Sequence, residues 1–104
     1  MRGDIHRLRS QKSSRGHEQQ GVRYAVVLQS EDLMLSTVLV APTSRSSPAR
    51  IFRPTITVDG EATQVLIEQT SAVAYERLGE VVGRATFDEL NAIADALRLV
   101  LELD

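Results

Sequence analysis

The sequence predicts a mainly β fold: a small, curled antiparallel sheet or barrel packed by one C-terminal helix. Three observations carry this. Short apolar, β-branched runs alternate with turn residues as far as Val82, the pattern of several short strands. Helical periodicity is clear only after Thr86. The length, 104 residues, suits one domain over residues 1–104, and a chain of this size buries roughly 65% of its surface, enough for a core without staples.

Residues 3–9 are short and mixed and read as a first strand. Residues 10–21 are polar and rich in Gly, Ser and Gln, so they read as a loop. Val22-Arg23-Tyr24-Ala25-Val26-Val27-Leu28 is apolar on both faces after Arg23 and reads as a buried strand. Residues 30–36 connect it to Thr37-Val38-Leu39-Val40-Ala41, a second buried strand that Pro42 is expected to end, because proline cannot donate to a sheet ladder. Residues 43–49 form another polar loop. Ile56-Thr57-Val58 running into Asp59-Gly60 predicts a strand and a tight turn, with residues 63–67 as the hairpin partner. Residues 73–75 and 79–82 read as further short strands. Thr86 and Glu89 have capping-box spacing. Leu90, Ile93, Ala94, Leu97, Val100 and Leu101 then line one face, with Asp88, Asn91, Asp95 and Arg98 outside.

Composition excludes several chemistries. There is no cysteine, which removes a disulfide scaffold, a thiolate zinc site and a thiol nucleophile. No apolar run approaches the roughly 18 residues of a membrane helix, and the first 21 residues lack an apolar signal region, so a cytoplasmic, soluble protein without a membrane partner is expected. The formal net charge of −2 gives by itself no reason to expect a nucleic acid. Its distribution does. Residues 1–53 hold nine basic residues against four acids, net +5, whereas residues 54–104 hold three against ten, net −7. Eleven of the twelve cations are arginine, whose planar fork binds phosphates and carboxylates bidentately.

The two buried strands bring polar groups together. If they pair as antiparallel neighbours about a turn centred near Leu33, Arg23 lies opposite Thr43, with Cβ atoms roughly 5 Å apart. The loop of residues 10–21 enters at that end, and Arg45 leaves from it. A guanidinium and a hydroxyl then converge at one rim, which is an anion site.

At this point the residues resemble a family. Arg2-Gly3-Asp4-Ile5, Glu18-Gln19-Gln20-Gly21-Val22-Arg23 before one strand, and Val40-Ala41-Pro42-Thr43-Ser44 at the end of the next are similar in order and spacing to the MazF/PemK (Kid) toxins of bacterial type II toxin–antitoxin systems. Leu66-Ile67-Glu68-Gln69 and Arg77-Leu78-Gly79-Glu80 resemble the family's second half, so the likeness spans nearly the whole chain. It implies an SH3-like barrel of the CcdB/PemK type. It also implies a sequence-specific endoribonuclease, working without metal or cofactor, that cleaves single-stranded RNA. In that chemistry the ribose 2′-hydroxyl attacks the adjacent phosphate, leaving a 2′,3′-cyclic phosphate and a 5′-hydroxyl. The implied partners are a second copy of the chain and a MazE-like antitoxin whose flexible, acidic C-terminal tail enters the RNA groove. The +5 half gives such a tail a physical basis, since it competes with RNA for one basic channel.

The family's catalytic arginine falls on Arg23 and its threonine on Thr43. Arg23 would stabilise charge gathering on the phosphoryl oxygens, where one pre-placed donor is worth about 3–4 kcal/mol, and Thr43 would orient the phosphate. Glu18 either orients Arg23 or serves as base; a solvated loop carboxylate is the plainer alternative. His17 stands where a near-neutral base is useful, although the family usually has a small residue there. Arg45, Arg50 and Arg53 are candidate phosphate contacts and, with His17, Gln19, Gln20 and Ser44, form the expected RNA-binding set. Two residues depart from the pattern: His6 replaces an aromatic, and Tyr24 replaces a proline. A CcdB-like inhibitor of DNA gyrase and an RNA-binding member without cleavage are the competing readings. The first depends on a C-terminal tryptophan motif, and this chain has no tryptophan.

Overall fold

The computed structural model describes residues 1–9 and 23–104. Among them are seven strands: β1 (Asp4–Leu8), β2 (Tyr24–Val27), β3 (Thr37–Ser44), β4 (Thr55–Val58), β5 (Glu61–Val65), β6 (Ser71–Ala74) and β7 (Leu78–Arg84), followed by helix α1 (Phe87–Leu101). The pairing is antiparallel throughout, in the order β4-β5-β3-β2-β1-β7, with β6 on β3. The predicted loop of residues 10–21, and Val22 at the start of the predicted second strand, lie outside the described residues.

Residues alternate between two faces, so each central strand feeds two cores. Ile5, Val26, Ala41, Ile56, Val58, Val65 and Ile67 pack with Ile93 and Ala96 of the helix. On the other face, Ala25, Val27, Val38, Val40 and Val73 pack together, flanked by Leu8, Tyr75 and Leu78. That explains why β2 is apolar at every position after Arg23. The β4–β5 hairpin shares the helix-side core with β1 and β2, so the sheet curls into a half-barrel around α1. The predicted turn is there: Val58 pairs with Glu61 across Asp59 (φ 54°) and Gly60 (φ 79°), both left-handed as a two-residue hairpin turn requires.

Three expectations need correction. Pro42 does not end β3, which runs on to Ser44. The reason lies in the ladder. Leu28 N–H donates to Leu39 O at 2.9 Å, so the positions of β3 that exchange hydrogen bonds with β2 are 39, 41 and 43, and Pro42 falls between them. On its other edge β3 changes partner here. Thr37–Val40 pair with β6, and Thr43 and Ser44 pair with β5. Pro42 therefore needs no N–H, while its carbonyl accepts from Leu66 N–H at 2.9 Å.

The second correction is the β2–β3 register. Ala25 pairs with Pro42 and Val26 with Ala41, which sets Tyr24, rather than Arg23, level with Thr43. The third concerns the end of the helix. Ile93 and Ala96 are buried and Leu97 packs against them, but Val100 and Leu101 are 38% and 58% exposed, because the sheet does not extend beneath the last turn.

The capping box does more than close the helix. Thr86 Oγ1 accepts from Glu89 N–H at 3.1 Å, and Glu89 Oε1 accepts from Thr86 N–H at 2.8 Å. Glu89 Oε2 also accepts from Thr57 N–H at 2.9 Å, which covers a donor on the outer side of edge strand β4. Glu89→Ala is expected to lower stability by about 1–2 kcal/mol in urea unfolding, since it removes a cap and a sheet tie. Glu89→Gln should lose less, because its amide oxygen can still accept.

Candidate functional site: a cationic cavity where β2 begins and β3 ends

Where β3 passes Pro42 and turns from β6 to β5, a cavity of about 610 Å³ opens. Arg23 and Tyr24 line it from the start of β2, Pro42, Thr43 and Ser44 from the end of β3, and Arg45 from just beyond. The rest of the lining comes from the hairpin and the turn after it, with Asp59, Thr63, Leu66 and Gln69.

The threonine and serine hydroxyls have fixed supports; among the described residues the two guanidinium groups do not. Thr43 Oγ1 donates to Tyr24 O at 3.3 Å, which leaves its lone pairs available. Ser44 Oγ accepts from Ser47 N–H at 3.0 Å and from Ser47 Oγ at 2.8 Å, so the exit of β3 is closed by a hydroxyl web. Thr63 is buried and donates to Glu61 O at 3.0 Å. Arg45 is half-exposed and reaches Glu61 only at 3.9 Å, a loose surface pair worth little. Arg23 is exposed. The cavity thus offers two guanidinium groups and several hydroxyls beside an apolar floor of Pro42 and Leu66, an arrangement that attracts a phosphate by charge and orients it by hydrogen bonds.

Of the residues singled out in the sequence, Arg23, Thr43, Ser44 and Arg45 meet in this cavity. Glu18, His17, Gln19 and Gln20 lie outside the described residues. Arg50 and Arg53 line a separate depression of about 550 Å³ with Ile51, Phe52 and Pro54. Arg53 is already engaged, with Nε at 3.0 Å and Nη2 at 2.7 Å from Glu68 Oε2, and its guanidinium stands 5.4 Å from the Phe52 ring centroid. The hydrogen bond from Arg53 holds the Glu68 carboxyl below the usual carboxylate range.

Sequence reasoning missed Tyr24, Asp59, Thr63, Leu66 and Gln69 as cavity walls. The Asp59-Gly60 turn was readable, but the pairing of Thr43 with Val65 that brings the hairpin against β3 is a long-range contact with no local signature. His6, one of the two departures, lies in the sheet. It is buried between Ala25 and Val81, and its Nδ1–H donates to Gly79 O at 2.9 Å.

Comparison with known proteins agrees with this fold. A family model described as PemK-like, MazF-like toxin of type II toxin–antitoxin system matches residues 1–101. A Mycobacterium tuberculosis protein provisionally named a toxin is 35% identical over 99% of this chain and 98% of its own length. The fold is similar to that of a solved MazF toxin of M. tuberculosis (TM-score 0.78, 19% identity, 97% of this chain and 98% of that one). It is also similar to that of a mycobacterial endoribonuclease solved with its cognate antitoxin (0.79, 15%, 100% and 96%). A MazE–MazF structure from Deinococcus radiodurans is a third match (0.80, 22%, 99% and 96%).

The Arg53–Glu68 pair makes a direct prediction. The folded-state pKa of Glu68 is depressed, so the pair's contribution to stability is present at neutral pH and fades as pH falls through that lowered value. Arg53→Gln should return the Glu68 carboxyl towards the ordinary range and remove this acid-side loss, as read by NMR titration of the side-chain carboxyl.

Proposed function

Since the chain belongs to the PemK-like, MazF-like toxins of type II toxin–antitoxin systems, we propose that it is an endoribonuclease toxin acting on single-stranded RNA. The observation that carries the reading is the meeting of Arg23 and Thr43, beside Arg45, in one cavity where β2 begins and β3 ends.

In the proposed reaction the substrate's 2′-oxygen attacks the adjacent phosphorus, the bond from phosphorus to the 5′-oxygen breaks, and a 2′,3′-cyclic phosphate remains. The departing 5′-oxygen takes a proton from water. Charge builds on two non-bridging oxygens; the Arg23 guanidinium is a donor for it, and the Thr43 hydroxyl becomes one when its hydrogen turns from the Tyr24 carbonyl, at 3.3 Å, to the phosphate. Arginine keeps its proton above about pH 12, so Arg23 acts as a charge stabiliser and not as a base. Removal of the 2′-proton falls to Glu18 or His17. The nucleophile is the substrate's own, and the residues proposed for the chemistry supply only hydrogen bonds, charge and proton transfer.

The same cavity suits an antitoxin. Two of the similar structures pair a toxin with its antitoxin, and an acidic, flexible tail ordered on Arg23 and Arg45 would exclude RNA by occupying its phosphate positions. The active form is proposed to be a homodimer with two such sites.

Incubation of purified protein with single-stranded RNA in EDTA tests the reading. Cleavage with cyclic-phosphate ends is expected, falling about 10²- to 10³-fold in Arg23→Ala. RNA left intact but bound at all sequences would overturn the enzyme and leave a binding protein. Salt dependence tests the contacts. Arg45→Ala should flatten the slope of log affinity against log salt by about 0.7, the value of one phosphate contact on a single strand. Arg53→Ala should flatten it less, because Glu68 already holds that guanidinium.

A further inference from the structure

A site for one phosphate needs cations and hydroxyls. This cavity is lined in addition by a carboxylate, Asp59, from the hairpin and an amide, Gln69, from the turn after it. At about 610 Å³ it is also larger than a phosphate requires, and lies in the ~300–1,000 Å³ range of pockets that enclose a small molecule. The carboxylate is not explained by the local fold alone. Asp-Gly suits the left-handed backbone of the turn, where Asp59 has φ 54°, but Asn-Gly suits it equally. Among the described residues Asp59 makes no hydrogen bond or ion pair, so it does not serve to hold Arg23 or Arg45 in place. A negative charge beside a phosphate position costs affinity, and its presence asks for a donor-bearing group as its partner.

We propose that Asp59, with Gln69, reads one base of the bound RNA, and that the base is guanine. The proposal rests on the RNA reading of the cavity given above. Bases of a single strand expose their pairing edges. A carboxylate only accepts, through two oxygens side by side. On the pairing edge, guanine alone presents two adjacent donors, N1–H and the N2 amino group, with the O6 acceptor beyond them for the Gln69 amide N–H. Adenine, cytosine and uracil each set an acceptor lone pair beside their donor, and that lone pair would face a carboxylate oxygen. Arg23, Thr43 and Arg45 hold the backbone and carry no base information. Selection therefore falls to the hairpin wall, and cleavage chemistry to the β2–β3 wall.

The test reads binding, so it does not depend on cleavage. A randomised 2′-O-methyl RNA pool, which lacks the nucleophile, is selected on the wild-type protein and on Asp59→Asn, and both bound fractions are sequenced. Asparagine tolerates the turn, and an unchanged thermal midpoint verifies that the fold is intact. Guanine should be enriched at one position by the wild type, and that enrichment should vanish in Asp59→Asn. The selected oligonucleotide is then remade with inosine, which lacks the N2 amino group. It should bind the wild type about tenfold more weakly, and Asp59→Asn no more weakly than the guanine form. No guanine enrichment in the wild type, or the same enrichment in Asp59→Asn, overturns the proposal. If unmodified RNA stays intact while the Asp59-dependent preference persists, the ribonuclease reading fails and the base-reading role stands.

Discussion

The structure depends on how one strand that contains a proline satisfies three neighbours. β3 bonds to β2 along one edge and to β6 and then β5 along the other. A missing N–H inside such a strand costs a ladder bond unless it falls where no partner waits. At position 41 or 43 the gap would face β2. At Pro42 it faces the interval between β6 and β5, and the bond lost there is one the changeover leaves unmade. The strand can therefore continue while the sheet curls, and its continuation presents Thr43 and Ser44 beyond the last buried residue, Ala41.

From this point the cavity assembles without further special devices. β2 begins level with Thr43, so Tyr24 supports the threonine hydroxyl and Arg23, just before the strand, stands at the rim. β5 pairs with Thr43 and Ser44, so its hairpin and the turn after it supply the rest of the lining. The family's fold thus turns one backbone problem into a two-walled site. The wall from β2 and β3 carries cations and hydroxyls. The hairpin wall carries an acid and an amide. Arginine number alone does not describe such a surface. Arg53 is held by a carboxylate at 2.7 Å and Arg45 only at 3.9 Å, and that difference separates a structural cation from an available one.

Much of this was legible in the sequence, for reasons that differ by element. The Asp59-Gly60 turn and the Thr86–Glu89 cap are local chemistry, and both were readable to the residue. The buried strands followed from apolar residues on both faces. The convergence of Arg23 with Thr43 was readable as a region but not in register. A turn of residues 30–36 with no Asn-Gly or similar signal does not fix the pairing, and a shift of one residue moved Tyr24 into the place expected for Arg23. The continuation past Pro42 was hidden because it depends on which partner lies on which edge. The apolar residues at the end of the helix misled for a similar reason: periodicity names a face but not how far the opposing sheet extends. Arg50 and Arg53 shared a charge block with Arg23 in the sequence, and among the described residues they line a different cavity from the one Arg23 lines.

RNA held and cut in the cavity between β2, β3 and the β4–β5 hairpin, as proposed above, would mark that cavity in solution. The most direct test is NMR mapping of the protein titrated with uncleavable 2′-O-methyl RNA. The largest amide shifts are expected on Arg23, Thr43, Ser44 and Arg45, on Asp59 of the hairpin and on Gln69 of the turn after it. Shifts centred instead on the Arg50–Arg53 depression or on the exposed end of the helix, with Arg23 and Thr43 unmoved, would contradict it.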